Sequence, residues 1–302
     1  MKQRFRSFLG AASYYTQICR PHNWLKNLLL FVPMMMSGYA HGHCAAQLIY
    51  GFLSFCFAAS CIYVVNDIID VENDRKHPDK MSRPFASGNI THEEAVAIII
   101  VLFVSSIAMS FMAGISVACL VLAYFAISVY YVLWARSVLL IDVMILSCLH
   151  TLRIIAGMVA AEVSGHIPLV VFCFLIFLSL ACVKRQCELV VSYQRGDIHS
   201  YGRGYAVDDR TILAIISMIA GYLSVVMLFF VGASVGIVGS DIDIYSRLAI
   251  CVVVLHWLTR AVMLANRGEM HSDTLRYALT DRGSIGSFAV VAVILLVAAC
   301  IG

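Results

Sequence analysis

Residues 45–75 decide the class of fold, and they read AAQLIYGFLSFCFAASCIYVVNDIIDVENDR. The segment begins with an apolar run that ends at Asn66 and has the length of one membrane-spanning helix, about 20 residues. A cluster of carboxylates, Asp67, Asp70 and Asp74, follows this run without a break. An apolar run followed directly by carboxylates predicts a transmembrane helix whose end carries a charged functional site at the membrane surface.

The composition extends this prediction to the whole chain of 302 residues, of which 61% are hydrophobic and 13% are charged. Soluble domains average roughly 45–50% apolar and about 25% charged residues. Together with a mean hydropathy of +0.88, the composition excludes a cytosolic enzyme, a disordered chain and a secreted disulfide-stabilised protein. A formal net charge of +3 is too small to indicate a nucleic-acid partner. The sequence therefore indicates an all-α, polytopic membrane protein.

Apolar runs of roughly 17–25 residues mark the expected membrane spans. We predict a bundle of about nine transmembrane helices in a single domain, residues 1–302. The approximate limits of the spans are Leu25–Ala40, Ala45–Asn66, Ala95–Met112, Ile115–Leu133, Leu139–Ala160, Ile167–Val183, Ile212–Val235, Leu248–Ala265 and Ile285–Ile301.

The distribution of Lys and Arg predicts how these spans are oriented. All of these residues except Arg153 and Arg247 lie near the first predicted span or on alternate connections, with Arg260 at the edge of a span. Because short loops rich in Lys and Arg stay in the cytoplasm, the N-terminus is expected there and the C-terminus outside. We expect a multi-pass protein of the inner (plasma) membrane with its active site at the cytoplasmic face.

The three aspartates are suited to a divalent cation. At their spacing of i, i+3 and i+7, Asp67, Asp70 and Asp74 lie on one face of a helix, with Asn66 nearby. Like charges this close repel one another, more strongly where the dielectric constant falls at the membrane edge. Mg²⁺ binds one or two carboxylates and completes its coordination with water and substrate phosphates. The cluster therefore predicts a Mg²⁺–diphosphate site; a solvated acidic helix end, neutralised by the basic residues that follow, is the alternative.

Basic residues that could bind phosphate lie near the ends of two predicted spans. Lys80 and Arg83 belong to a loop bounded by prolines, and Lys184 and Arg185 end the sixth span. Arg binds phosphate through a planar fork and Lys as a point charge. Glu188 lies four residues beyond Lys184, so the two can meet on one helix face and Glu188 could contact a second metal or a hydroxyl. The ordinary excess of cations in cytoplasmic loops is the alternative explanation.

Further polar residues lie at the same predicted face or inside the membrane. Arg153 is the deepest, and a charge at that depth is costly and functional by default. A structural pairing with a group on another span explains it equally well. The other candidates for substrate binding are Lys26, Asn27, Asn66, Tyr131, Arg136 and Asp142.

Two consecutive stretches of the sequence resemble a motif of a known family. They read Asn66-Asp67-x-x-Asp70-x-x-x-Asp74 and His77-Pro78-x-Lys80-x-x-Arg83-Pro84. Together they resemble the first aspartate-rich motif of the UbiA-type membrane transferase superfamily. The nine-span layout agrees with this family over almost the whole chain. Members bind Mg²⁺–diphosphate at this motif and at a second one after the sixth span, usually D-x-x-x-D. Here the second site reads Lys184-Arg185-x-x-Glu188, with a cation where a carboxylate is expected.

This departure resembles the branch that contains decaprenyl-phosphate phosphoribosyltransferase. The branch also has an R-P-x-x-W-x-K-N opening, matched from Arg20 to Asn27, and an L-R-x-x-A-G stretch, matched from Leu152 to Gly157. A third pattern is matched by Tyr131 and Asp142, with Arg136 in place of lysine. The resemblance implies Mg²⁺-dependent transfer of 5-phosphoribose from phosphoribosyl diphosphate to a polyprenyl phosphate, with release of diphosphate.

The residue patterns and the resemblance together predict a catalytic group and a substrate-binding group. The catalytic group consists of Lys184 and Glu188 with the metal ligands Asp67, Asp70 and Asp74. The substrate-binding group consists of Lys26, Asn27, Asn66, Lys80, Arg83, Tyr131, Arg136, Asp142, Arg153 and Arg185.

Two other functions compete with this interpretation. A prenyltransferase that alkylates an aromatic or quinone precursor uses the same metal motif, but it is expected to have a second pair of carboxylates. A transporter or lipid flippase is expected to carry ionisable groups at mid-depth in several spans, whereas here Arg153 and two histidines qualify. The chain length of the lipid, the oligomeric state and the downstream pathway are left open by the sequence.

Overall fold

A computed structural model describes residues 14–37, 42–76, 81–163, 167–196, 203–234, 241–270 and 274–301. The regular elements of this part of the chain are helices, as the composition predicts. Seven of them are long and apolar enough to cross a membrane. The all-α, multi-pass architecture is therefore confirmed.

The helices are numbered here in chain order. Two short 3₁₀ turns, Ala135–Ser137 and Val207–Asp209, interrupt the connections between them. Helix α1 begins as the 3₁₀ helix Pro21–Phe31 and continues as the α-helix Val32–Ser37. The others are α2 (Gly42–Ile69), α3 (Val71–Lys76), α4 (His92–Ala113), α5 (Ile115–Leu133), α6 (Ile141–Ala160), α7 (Ile167–Arg195), α8 (Arg210–Ser234), α9 (Asp241–Arg267), α10 (Thr274–Thr280) and α11 (Arg282–Ile301).

Seven predicted spans coincide with the candidate spans α2 and α4–α9. The first predicted span, Leu25–Ala40, coincides with α1 as far as residue 37, and its last residues lie outside the described part of the chain. The ninth lies in α11, which is not among the seven candidate spans found in the described residues. The count of nine spans and the orientation of the termini therefore stay predictions.

One helix extends well beyond the membrane span predicted for it. Helix α7 does not end at Val183 but continues to Arg195, because no glycine or proline interrupts residues 184–195. It ends before Gly196, which has a φ of 79° and donates its backbone N–H to Tyr193 O at 3.0 Å. Glycine adopts this left-handed conformation without the steric cost that other residues bear. The extension places residues 184–188 within α7 instead of at its end.

The chain folds into two compact units. Unit 1 comprises Met1–Val132 and Leu152–Val163, and unit 2 comprises Leu133–Thr151 and Ser164–Gly302. Helix α6 contributes residues to both units, since the division falls between Thr151 and Leu152.

Each unit has a central helix pair that is joined by buried serines. In unit 1, Ser54 of α2 donates to Ser106 O at 2.8 Å, and Ser106 of α4 donates to Ser54 O at 2.9 Å. In unit 2, Ser217 of α8 donates to Ser179 O of α7 at 3.0 Å. Small residues allow membrane helices to approach closely, and hydroxyls can bond across the contact. These pairs fix how α2 and α7, which carry the candidate site residues, lie against their neighbours.

Gly157 of α6 allows a direct backbone contact within unit 1. A Cβ atom at this position would lie 2.1 Å from Leu30 O of α1, so no larger residue fits without displacing one of the two helices. We expect Gly157→Ala to lower the free energy of unfolding by at least about 2 kcal/mol. Gly286→Ala is the matched control, since a Cβ there meets no atom within 4 Å. Thermal unfolding in detergent measures both, and equal midpoints for the two variants would contradict the close contact.

Candidate active site

The carboxylates of unit 1 lie where α2 passes into the short helix α3. Helical hydrogen bonding continues across this junction, since Asp70 N bonds to Asn66 O at 2.9 Å and Asp74 N to Asp70 O at 2.8 Å. Asp67 and Asp74 are buried, whereas Asp70 is partly exposed and accepts a hydrogen bond from Asn66 Nδ2 at 3.1 Å. The predicted one-face arrangement is therefore built into a continuous helical path.

Two arginines bind the buried aspartates. Arg20 Nη2 lies 2.5 Å from Asp67 Oδ1, and its guanidinium lies 5.2 Å from the centre of the Tyr63 ring. Arg83 Nη1 bridges the two carboxylates, at 2.7 Å from Asp74 Oδ2 and 3.4 Å from Asp67 Oδ1. We call Asp67, Asp70, Asp74, Arg20 and Arg83 the aspartate cluster; their formal charges leave it one negative charge. Sequence reasoning named Arg83 as a site residue and missed Arg20.

Local structure places both arginines. Arg20 has a φ of 48° and precedes Pro21, so the chain turns sharply before α1. Ser60 of α2 holds this turn by donating to Cys19 O at 2.7 Å and accepting from Trp24 Nε1 at 3.0 Å. The loop that carries Arg83 is anchored by two apolar side chains, because Phe85 and Ile90 are buried in one cluster with Ile18, Val64 and Ala95. Lys80 lies outside the described residues.

The donor set of the aspartate cluster fits Mg²⁺. Within the described ranges, no three His, Cys, Asp or Glu side chains form a ready-made metal cage. Mg²⁺ does not require one, because it takes one or two protein carboxylates and fills its other positions with water and phosphate oxygens. An all-oxygen set with net negative charge favours a hard cation over zinc or copper. A cation here would compete with Arg20 and Arg83 for the same oxygens.

The polar residues of α7 form a second group, in unit 2. Arg185 is buried and donates from Nε to Asp142 Oδ2 and from Nη1 to Glu188 Oε2, both at 2.6 Å. Tyr205 OH donates to the other oxygen of Asp142. The side chain of Asp142 is fully buried, whereas that of Glu188 is 28% exposed. Arg185, one turn before Glu188, is thus its hydrogen-bonded ion-pair partner.

Two more cations belong to this group. Lys184 and Arg203 are partly exposed and lie within electrostatic range of Glu188. We call Asp142, Lys184, Arg185, Glu188, Arg203 and Tyr205 the arginine–carboxylate cluster. Its formal charges sum to one positive charge, the opposite of the aspartate cluster. The arrangement suits an anion rather than a second divalent cation.

Arg153 belongs to a separate network inside unit 1. Its Nε donates to Asn27 Oδ1 at 2.7 Å and its Nη2 to Tyr124 OH at 3.1 Å. The guanidinium also lies 4.9 Å from the ring centre of Tyr124 and 5.9 Å from that of Phe55, within the range of cation–π attraction. Its partners are on other helices, one of the two explanations considered for a charge at this depth. Asn27 in turn donates to Cys56 Sγ at 3.3 Å.

The remaining predicted site residues are less informative. Lys26, Tyr131 and Arg136 are each partly exposed, so a substrate could reach them, and their roles stay predictions.

Gln186, which sequence reasoning did not select, is fully buried, and its amide makes no hydrogen bond with any described residue. A buried amide without hydrogen-bond partners lowers the stability of the fold by about 1–3 kcal/mol.

Comparison with known proteins identifies the family of this chain. Residues 27–280 match the model of the UbiA prenyltransferase family. The chain is 40% identical over 271 residues to nodulation protein NoeC of Azorhizobium caulinodans, covering 90% of this chain and 88% of NoeC. It is 34% identical over 200 residues to the decaprenyl-phosphate phosphoribosyltransferase of Mycolicibacterium smegmatis, covering 62% of each chain. The solved structure of a UbiA homolog from Archaeoglobus fulgidus bound to DMAPP and Mg²⁺ has a TM-score of 0.69 at 17% identity, covering 92% of this chain and 99% of that one.

The helical membrane fold, together with a family match over most of the length, defines a membrane-embedded transferase. The chain belongs to the UbiA prenyltransferase family. The resemblance read from the aspartate-rich motif is thereby confirmed.

Proposed function

We propose that the protein transfers a 5-phosphoribosyl group from phosphoribosyl diphosphate to a polyprenyl phosphate, in the presence of Mg²⁺. The bond between ribose C1 and the diphosphate oxygen breaks, and a bond between C1 and a lipid phosphate oxygen forms. The products are polyprenyl-phosphoryl-5-phosphoribose and diphosphate. The lipid phosphate is already an anion, so this reaction needs no strong general base.

The observation that carries this proposal is the charge of the arginine–carboxylate cluster. Arg185 forms ion pairs with the carboxylates of Asp142 and Glu188. Lys184 and Arg203 add positive charge beside Glu188. A second Mg²⁺ is disfavoured there, whereas a phosphate group is attracted. This suits a reaction in which both substrates carry phosphate, and the decaprenyl-phosphate phosphoribosyltransferase relative is named for such a reaction.

In the aspartate cluster, Asp67, Asp70 and Asp74 would hold Mg²⁺. When bound, the ion supplies charge neutralisation for the leaving diphosphate. Arg20 and Arg83 are the cations that bind diphosphate oxygens, with Lys80 as a further candidate. Preorganised donors of this kind favour the transition state because they need little reorganisation as charge moves onto the leaving group.

In the arginine–carboxylate cluster, the exposed groups touch substrate and the buried ones hold them in place. Lys184 binds the second phosphate-bearing substrate, and Glu188 stabilises the positive charge that develops on the ribose ring. Because Arg185 and Asp142, both predicted to bind substrate, are buried, we propose that they position the exposed groups. Lys26, Asn27, Asn66, Tyr131, Arg136 and Arg153 remain candidates for binding the substrates.

We also propose the setting of the reaction. One transferase domain of about nine spans lies in the plasma membrane, with its N-terminus in the cytoplasm and its C-terminus outside. Both polar clusters then act at the cytoplasmic face, where the water-soluble phosphoribosyl diphosphate is available and the polyprenyl tail stays in the lipid. The bias of Lys and Arg toward alternate connections supports this orientation.

Prenyl transfer is the second candidate, because solved relatives of this fold bind prenyl diphosphates with Mg²⁺. A two-substrate assay in detergent separates the candidates. One mixture contains labelled phosphoribosyl diphosphate and polyprenyl phosphate, and the other contains labelled polyprenyl diphosphate and an aromatic acceptor. We expect a lipid product from the first mixture alone, and its loss with EDTA. Product formed only in the second mixture would refute phosphoribosyl transfer.

A further inference from the structure

Tyr205 lies in the connection between α7 and α8 yet is almost completely buried, at 1% exposure. Connections normally run over the surface, and their aromatic residues are rarely enclosed. Tyr205 packs in one apolar cluster with Cys182 and Leu189 of α7 and with Leu213 of α8. Its ring therefore anchors this connection to the helix that carries Arg185.

The hydroxyl of Tyr205 is held by two hydrogen bonds. It donates to Asp142 Oδ1 and accepts from the backbone N–H of Leu140 at 3.1 Å. Asp142 Oδ2 accepts from Arg185 Nε at 2.6 Å, so each oxygen of this carboxylate has its own donor. Arg185 in turn donates to Glu188. The result is one chain of hydrogen bonds, from Leu140 through Tyr205, Asp142 and Arg185 to Glu188.

The backbone on both sides is shaped for this contact. Leu140 has a φ of 63°, a left-handed conformation that is costly for a residue with a side chain. Next to Tyr205, a Cβ on Gly204 would lie 2.2 Å from Ser137 O, so only glycine lets the two segments approach this closely. A strained leucine and an obligatory glycine therefore flank the hydrogen bonds of one tyrosine.

We propose that Tyr205 is a positioning residue of the transferase: through Asp142 it fixes the orientation of Arg185 and thereby of Glu188. The inference rests on the proposed function for the identity of the reaction, but the positioning role applies to any substrate that contacts Glu188. Phenol donors suit this task because the tyrosine stays neutral. Burial and the hydrogen bond to Asp142 raise the pKa of Tyr205 above its ordinary value, so it keeps its proton throughout the physiological range.

A double-mutant cycle tests the proposal. Tyr205→Phe removes one oxygen atom and is expected to lower kcat/KM about tenfold or more, mainly through kcat. In an Asp142→Asn background the same change is expected to have less than a twofold effect, because its route to Arg185 is already broken. Tyr222→Phe is the matched control, since it removes a hydroxyl that bonds Thr259 in the same unit, and wild-type activity is expected.

Full additivity in the cycle would assign Tyr205 a structural role only, and unchanged activity of Tyr205→Phe would refute the proposal outright. The cycle is measured with whichever transfer the wild type performs, phosphoribosyl or prenyl. Failure of phosphoribosyl transfer in the wild type thus contradicts the proposed function without deciding the role of Tyr205.

A second variant covers the case in which Tyr205→Phe does not fold. Incorporation of 3,5-difluorotyrosine at position 205 keeps nearly the same shape but gives a phenol that loses its proton at lower pH. Asp142 and Arg185 are the charged groups that act on this hydroxyl. As pH rises, this phenol loses its proton and Asp142 loses its donor. We therefore expect the alkaline loss of activity to begin at a lower pH in this variant than in the wild type. Coincident pH profiles would overturn the proposal.

Discussion

Replacing Asp67 by asparagine is expected to lower the rate of Mg²⁺-dependent transfer at least about 100-fold while the chain still folds. Asparagine has nearly the same volume and keeps one oxygen that can accept from Arg20, which lies 2.5 Å from Asp67 Oδ1. The charge of Asp67 is what the substitution removes, so Arg20 loses the negative charge it contacts and Arg83 keeps Asp74. The cluster changes from one net negative charge to none, which weakens its attraction for a divalent cation.

Two measurements check this expectation. Transfer activity is compared across Mg²⁺ concentrations, and binding of Mn²⁺ to the detergent-solubilised chain is followed by electron paramagnetic resonance. Glu72→Gln is the control, since Glu72 lies on α3 beside the cluster but is exposed. A variant Asp67→Asn that binds Mn²⁺ and turns over like the Glu72→Gln control would show that the aspartates do not hold the metal.

The opposite charges of the two clusters also bear on how many metal ions the enzyme uses. Paired aspartate motifs would give two sites that each need a cation. Here, buried Arg185 donates hydrogen bonds of 2.6 Å to both Asp142 and Glu188, and Lys184 and Arg203 supply the rest of the positive charge. The physical expectation is one divalent ion per chain, at the aspartate cluster.

The features that sequence reasoning found share a local origin. About 30 consecutive residues determine both the span α2 and the one-face spacing of Asp67, Asp70 and Asp74. Over such a short stretch, hydropathy and the helical period are sufficient to predict them. The sixth span was predicted to end at Val183 because hydropathy falls there, and this drop does not indicate that α7 continues to Arg195. Hydropathy reports where lipid ends, whereas helices end where glycine, proline or a cap interrupts them.

The residues that were missed depend on distant partners. Arg20 pairs with Asp67 across 47 positions, and Tyr205 bonds Asp142 across 63. No local pattern marks Tyr205, because a tyrosine in a glycine-containing connection is ordinary until its burial is known. Arg20 had a signal, since it opens the stretch that resembles the family, but its charge was attributed to the cytoplasmic bias of cations.

Replacing Arg185 by methionine is expected to destabilise the protein by about 3–5 kcal/mol, a larger loss than the one expected for Gly157→Ala. Methionine fills much of the same volume, but Asp142 then loses the guanidinium that bonds its Oδ2, and its side chain is fully buried. An uncompensated charge buried in a protein is far more costly than a missing hydrogen bond. Arg195→Met, an exposed site on the same helix, is the control and should unfold like the wild type.

The double variant Arg185→Met with Asp142→Asn separates charge from shape. Neutralising Asp142 removes the buried charge, so at least about half of the lost stability is expected to return. Activity is not expected to return with it, because Glu188 still lacks the donor that holds it. Chemical unfolding in detergent and the transfer assay measure the two quantities on one preparation. Recovery of both would mean that Arg185 serves the fold alone, and recovery of neither would mean that its contacts matter to the fold beyond the pairing with Asp142.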